Sequence, residues 1–279
     1  MTTVLKVGEV RLTRVLYVDA LIDPDAVGLT SDDVRAVSWG SPTWADDGQV
    51  RAASCAWVIS AGGRHIVVDP SGNIDEILHD ESSTTAHQAA YAAAFASAGI
   101  PIEAIDTVLL SHIESIGLSA VKDGSRWRPF FTNARLLISD RALHSFVQSP
   151  PVGPLGDAFQ SLIDEGMVDT FSDGDELAPG LVAEWTGMHN VGHCAFHVRD
   201  SATAVTFIGH LAVSPLHLAT GPCPAQHYEP DEAWRWLTQL ASNPSNVIIG
   251  PLWPSPGAVR WHGDHPEAID GSGTPTGQT

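Results

Sequence analysis

The chain has 279 residues, enough for two small domains or one large α/β domain, and its 43% hydrophobic and 17% charged content is that of an ordinary folded protein rather than a disordered or fibrous one. Fourteen Lys and Arg against 33 Asp and Glu leave a formal charge of −19, a field that repels phosphate backbones and anionic bilayers, so nucleic acid and membrane partners are disfavoured. No run approaches the ~18 apolar residues of a membrane span. Three cysteines without a close pair fit reduced thiols in a cytoplasm better than a disulfide framework.

In chain order, residues 4–22 alternate apolar and polar and read as two short strands rather than a signal peptide. Residues 23–53 follow as an ordered polar loop. SCAWVIS and RHIVVD then flank Ala61-Gly62-Gly63 as a hairpin, stopped by Asp69-Pro70-Ser71-Gly72. The alanine-rich run Thr84 to Ala98, with Gly99 just past its end, is a helix with a left-handed cap. A buried strand TVLL (107–110) delivers Ser111-His112-Ile113-Glu114 at its C-terminal end, where α/β sheets place their sites.

A loop with Trp127, a strand at 134–139, helices at 140–147 and 154–165, and strands at 168–171 and 181–186 come next. Strands at 193–199 and 203–208, a long connection to 230, a helix at 231–242 and a strand at 247–250 complete the pattern. Two β-rich halves, each with helices after its strands, lead to an α/β fold arranged as a four-layer αββα sandwich. One domain spans 1–262, and 263–279, rich in Gly, Pro, Thr and acids, reads as a flexible tail.

Thirteen histidines, six of them between 189 and 227, are the chemical signal. Four segments in order carry a resemblance: VLLSHIESIGLSA, WTGMHNVGHCAFHV, TFIGHLAVSP and IIGPLWPSPGAV. Together they resemble the metallo-β-lactamase fold superfamily, in particular its lactonase-like hydrolases, whose strand ends in HxHxDH and is followed by a GH loop, a GD segment and a late His. The resemblance covers about 54–260 and implies the αββα fold of metallo-β-lactamase type.

Residue by residue, His112 keeps the first motif His, whereas Glu114, Ile116 and Gly117 replace the second His, the Asp and the third His. His189 keeps the GH-loop His, with Met188 in place of the usual Gly before it. His210 stands where the bridging Asp is usual, and Leu252 where the late His is usual. The second metal site has thereby lost its private ligands, while His112, Glu114, His189 and His210 retain donors acceptable to one divalent transition metal, Zn, Fe or Mn. The alternative is a metal-free site in which Glu114 and His210 form a buried pair and are the first acid-base candidates.

The resemblance also implies supporting roles. Asp69 could orient a ligand His, or simply form an Asx turn with Ser71 and Gly72. His193 is a packing residue or supports a ligand from behind. Trp127 and Trp253 fall in loops that this fold places near the site mouth, and with Leu252 they would make that mouth apolar. Cys194 reads as a buried small hydrophobe.

The implied function is a metal-dependent hydrolase of an ester, lactone or related acyl bond in a fairly apolar small molecule. Glu114 would serve as fourth ligand or as base, and His210 as a catalytic ligand. A mononuclear non-haem iron oxygenase and a metal-free binding protein or cofactor-independent catalyst are the alternatives. The sequence carries no signal for oligomeric state.

Overall fold

A computed structural model describes residues 3–70, 81–123, 126–201, 203–263 and 265–270. The first half supplies β1 (Val4–Val7), β2 (Val10–Ile22), α1 (Ser31–Ala36), β3 (Ala45–Asp46), β4 (Gln49–Ala61), β5 (Arg64–Val68), α2 (Glu81–Ser97), β6 (Thr107–Leu109), β7 (Ala120–Asp123), β8 (Arg126–Pro129), β9 (Arg135–Ser139), α3 (Asp140–Gln148), α4 (Pro154–Asp164) and β10 (Val168–Phe171). The second half supplies β11 (Glu176–Ala178), β12 (Leu181–Trp185), β13 (Cys194–Arg199), β14 (Ala204–Phe207), α5 (His217–Thr220), α6 (Pro230–Ala241), β15 (Asn246–Ile249), β16 (Ala258–His262) and β17 (His265–Ala268).

One sheet runs β1-β2-β4-β5-β6-β9-β10 with β3 on the edge of β4, and the other runs β11 through β17 in sequence order. Strand alternation explains why both faces of each sheet are covered. Trp57, Ile59, Ile66, Val68 and Leu109 point between the sheets and meet Phe196, Val198, Phe207, Val247 and Ile249 there. Their neighbours Val58, Val67 and Val108 point the other way, against Tyr91, Phe95, Phe146 and Phe159. On the far sheet, Ile248 and Val259 pack with Ala233 and Leu237 of α6. With a period of two along every strand, this makes four layers, helix, sheet, sheet, helix.

Parallel pairing of β5 with β6 and of β6 with β9 aligns the C-terminal ends of these strands, and the parallel pair β14 and β15 does the same in the other sheet. The two ends meet. Ser111, just after β6, accepts a hydrogen bond through its carbonyl from the Cys194 amide that opens β13, at 2.8 Å.

Three expectations are corrected. The segment 23–53 is not all loop, since it holds α1, the short strand β3 and the start of β4. The reason is the long antiparallel register between β2 and β4, which pairs Ile22 with Val50 and Leu21 with Arg51. Within 263–279, residues 265–268 form β17, because His262 and His265 close a hairpin that buries Pro266 and Ala268. Residues 271–279, and Ser71 and Gly72 of the expected turn, lie outside the described residues.

The third concerns the tryptophans. Trp253 has no exposed surface and its indole N–H donates to the Ala212 carbonyl at 2.9 Å, so it is core and lines no mouth. Trp127 lies in β8 and is buried against the helix-side cluster, and Leu252 packs partly buried at the edge of the other cluster. The two indoles turn inward because a large apolar ring gains more from burial than a rim position offers. Trp253→Ala is expected to cost about 3–5 kcal/mol of unfolding free energy, read from chemical denaturation at neutral pH.

Candidate metal centre

The site lies where the ends of the two sheets converge. His112 follows β6 in extended conformation, φ −163°, and is fully buried. Its orientation is set from behind: the Ser111 and Ser115 hydroxyls each lie 2.8 Å from Nδ1. Ser111 itself is held by Asp69, whose Oδ1 accepts the Ser111 amide at 2.8 Å. Asp69 turns the chain after β5 with a left-handed φ of 40°, a region that Asp tolerates better than most residues, and burial holds its carboxyl up at about 6.

With Nδ1 occupied by two hydroxyls, the free face of His112 is Nε2, which lies 2.9 Å from Nδ1 of His210. His210 sits in a short turn after β14, introduced by Gly209. Only glycine fits there. Its φ is +51°, and a Cβ at that position would lie 2.4 Å from His193 Nε2 and 2.7 Å from Ser111 Oγ. His189 enters from the loop between β12 and β13, its ring edge-on to His112 with centroids 4.8 Å apart.

These three imidazoles offer ligand atoms that all lie within 4.8 Å of one another. Two nitrogens on one tetrahedral zinc stand about 3.3 Å apart for bonds of ~2.0–2.1 Å, a spacing that the observed range of 2.9 to 4.8 Å brackets, so the residues fit one ion. Their protonation state suits the task. Burial first, then neighbouring histidines, hold His210 down at about 3; burial and His227 hold His189 at about 4; burial and the other imidazoles hold His112 well below the usual range. All three are neutral donors at pH 7.

Glu114 stands beside this group rather than inside it. Its Oε2 is 3.9 Å from His112 Nε2 and accepts from Asn190 Nδ2 at 3.1 Å, with the side chain half exposed. Its carboxyl is nonetheless raised, chiefly by burial of its inner part. His193 is buried behind the group: Thr186 Oγ1 lies 2.6 Å from its Nδ1, and its Nε2 has no partner. His197, four residues further on, bonds Glu184 and Thr206 instead. At the positions expected to lack a second set of donors, Ile116 is fully buried in the core and Gly117 turns the chain with φ 45°.

Sequence reasoning missed His227. Its Nδ1 is tied to the Cys223 carbonyl at 2.8 Å, its buried Nε2 is unpartnered, and its ring lies 5.3 Å from that of His189. The Tyr228 and Glu229 amides donate hydrogen bonds to the His189 and Met188 carbonyls and tie the two segments together. The density of histidines between 189 and 227 was the available signal. Ser115 was also missed, and its hydroxyl holds His112 as firmly as Ser111 does. Ser115→Ala is expected to weaken zinc affinity roughly 10-fold or more, as removal of groups behind a ligand does, measured by competition with a chromophoric chelator.

The layered sheets with imidazoles gathered at their shared end define the metallo-β-lactamase fold. Solved structures with this architecture include a hydrolase, AbOPH, of the beta-lactamase superfamily, 19% identical over 96% of this chain and 97% of its own, with a TM-score of 0.72. AidC, a dizinc quorum-quenching lactonase, is 15% identical over 96% of both chains with a TM-score of 0.70. A probable metal-dependent hydrolase from Staphylococcus aureus is 16% identical over 95% and 97% of the two chains, with a TM-score of 0.69. No family model and no curated protein sequence matches the chain, so the likeness is one of fold. Among the described residues no helix is long and apolar enough to cross a membrane.

Proposed function

We propose that this protein is a metal-dependent hydrolase that opens an ester, lactone or related acyl bond of a small molecule at a single metal ion held by His112, His189 and His210. The observation that carries this reading is the convergence of three neutral imidazoles, His112 buried and His189 and His210 partly buried, from three separate segments on one point. Such a set is costly to bury without a partner, and it is the donor chemistry of catalytic zinc and related ions. The hydrolase relatives in fold, one of them a dizinc lactonase, support the class of reaction.

A metal bound there supplies a Lewis acid that polarises a carbonyl and lowers the pKa of bound water toward ~7. The chain supplies the rest. Ser111 and Ser115 fix the ring of His112, and Asp69 fixes Ser111. Glu114, on the open side and raised by burial, is placed to accept a proton or to compensate the charge of the ion. Asn190 holds that carboxylate in place.

Ile116, Gly117 and Leu252 provide no donor for a second ion, which argues for one metal per chain. Elemental analysis of protein purified without added metal tests this. One equivalent of zinc, iron or manganese is expected, with EDTA removing hydrolysis of acyl esters. Two equivalents would refute the single site, and well under one would favour the metal-free reading. That second reading has an observation of its own, the direct 2.9 Å contact between His112 Nε2 and His210 Nδ1, which two imidazoles sharing one proton make without any metal.

A further inference from the structure

Outside the imidazole centre, a second set of polar side chains is joined end to end across the other sheet. Thr206 Oγ1 of β14 lies 3.0 Å from Nδ1 of His197 on β13, Glu184 Oε2 of β12 accepts from His197 Nε2 at 2.6 Å, and Trp236 of α6 donates its indole N–H to Glu184 Oε1 at 3.0 Å. Hydroxyl, imidazole and carboxylate stand in the order of a nucleophile, its base and the acid that orients it. Thr206 is only 1% exposed, however, so no substrate reaches its hydroxyl and the series holds rather than reacts.

What it holds follows from the chain. Thr206 stands four residues before His210 and Glu184 five before His189, so the series crosses from the strand that leads to one imidazole to the strand that leads to the other. Its last bond, to Trp236, closes a ring of constraints. From Glu184 the chain runs to Met188 and His189, whose carbonyls accept from the Glu229 and Tyr228 amides. From Glu229 the helix α6 runs about two turns to Trp236, and the indole returns to Glu184. The ring passes through His189 itself and through Tyr228, the neighbour of His227.

Among the described residues no other side-chain hydrogen bond joins α6 to β12. The apolar contacts of α6, through Ala233 and Leu237, are non-directional and set its depth on the sheet, whereas the indole bond sets its register. Glu184 is fixed although its side chain is 41% exposed: both oxygens are engaged, and the His197 bond first, with that of Trp236 after it, holds its carboxyl below the usual range. A charged acceptor makes these bonds stronger than neutral ones.

We infer that Glu184 and Trp236 are positioning residues of the metal centre: their hydrogen bond sets the register of α6 against β12 and so holds the His189 backbone where its ring meets those of His112 and His210. The purpose of that placement rests on the metal-centre reading; the bond itself does not. Because the bond is remote from the ligand atoms, its loss should weaken zinc less than the ~10–100-fold typical of a group bonded directly to a ligand.

The test compares three variants of the full-length protein: Trp236→Phe, which keeps a packing ring and loses the donor, Glu184→Leu, and Glu184→Gln, which keeps an acceptor for the indole. Amide hydrogen exchange of EDTA-treated protein reads the tie without metal. Competition with a chromophoric chelator reads zinc affinity, and the visible spectrum of cobalt-loaded protein reads ligand geometry. Trp236→Phe and Glu184→Leu should speed exchange of the Tyr228 and Glu229 amides at least about tenfold relative to those of β4, the factor that a hydrogen bond to a charged group contributes. They should also weaken zinc roughly threefold to tenfold and alter the cobalt spectrum, while Glu184→Gln stays near wild type in all three.

If Glu184→Leu fails to fold, Trp236→Phe and Glu184→Gln decide. Exchange that rises equally throughout the chain, or zinc affinity unchanged in Trp236→Phe, would overturn the positioning role. Absence of zinc binding by the wild type would overturn the metal reading instead, and exchange at Tyr228 and Glu229 would then decide the tie by itself.

Discussion

His210→Ala is expected to strip the metal and the hydrolytic activity together, leaving a folded protein. Metal content should fall from about one equivalent to near zero, and activity at least ~10³-fold, since a Lewis acid contributes several kcal/mol to the transition state of acyl transfer. The fold should survive because His210 projects from a short turn at the ends of the sheets. The turn itself is held by its buried neighbours Gly209 and Leu211. Metal analysis, near-ultraviolet circular dichroism and ester hydrolysis read the three effects separately. Retention of a full equivalent of metal in the variant would refute the three-imidazole centre. His210→Asp should not yield a two-metal site, since a bridging carboxylate is useless where Ile116, Gly117 and Leu252 offer no further donor.

Acid should destabilise the protein well above the range in which carboxylates titrate. His210 is held at about 3, His189 and His217 at about 4, and His112 and His193 well below the usual range, in each case chiefly by burial. Unfolding releases these rings to an ordinary pKa near ~6.5. Between about pH 6.5 and 4 the unfolded chain therefore binds more protons than the folded one, and stability falls as pH falls. From pH 7.5 to 5.5, His189, His210 and His217 each lose about 1.4 kcal/mol, about 4 kcal/mol together, and His112 and His193 act in the same direction.

Asp69 works the opposite way. Held up at about 6 by burial, it is a destabilising anion at pH 7.5 and takes up a proton on acidification, returning about 0.8 kcal/mol over the same window. The net loss of about 3 kcal/mol or more is measurable as a shift in urea midpoint between the two pH values, with EDTA present in both so that metal release plays no part. A midpoint that held steady or rose would show that the histidine cluster is not buried and neutral in solution.

Much of the fold was legible from local pattern. The hairpin around Gly62 and Gly63, the alanine-rich helix read at 84–98, the buried strand before His112 and the helices after β9 each carry a local signal. Alternation of apolar residues on both faces of β4, β5 and β6 requires cover on both sides, and hence four layers. Where the reading went astray, the deciding contact was distant. Residues 49–53 become strand because β2, some thirty residues earlier, offers a partner, and residues 265–268 do so because β16 does.

The amino-acid sequence by itself determined which side chains are on offer: imidazoles at 112, 189 and 210, a carboxylate at 114, and no metal donor at Ile116, Gly117 or Leu252. Only the tertiary structure decided the geometry. It brought together His112, His189 and His210, which are 77 and 21 residues apart in the chain, and set Glu114 to one side with Asn190. It placed His227 against His189 through backbone bonds that no local pattern announces. It also took Trp253 from the expected mouth into the core. The reason is physical: residue type fixes what a side chain can donate or bury, whereas its direction depends on which strand ends meet and which apolar groups fill the space between them first.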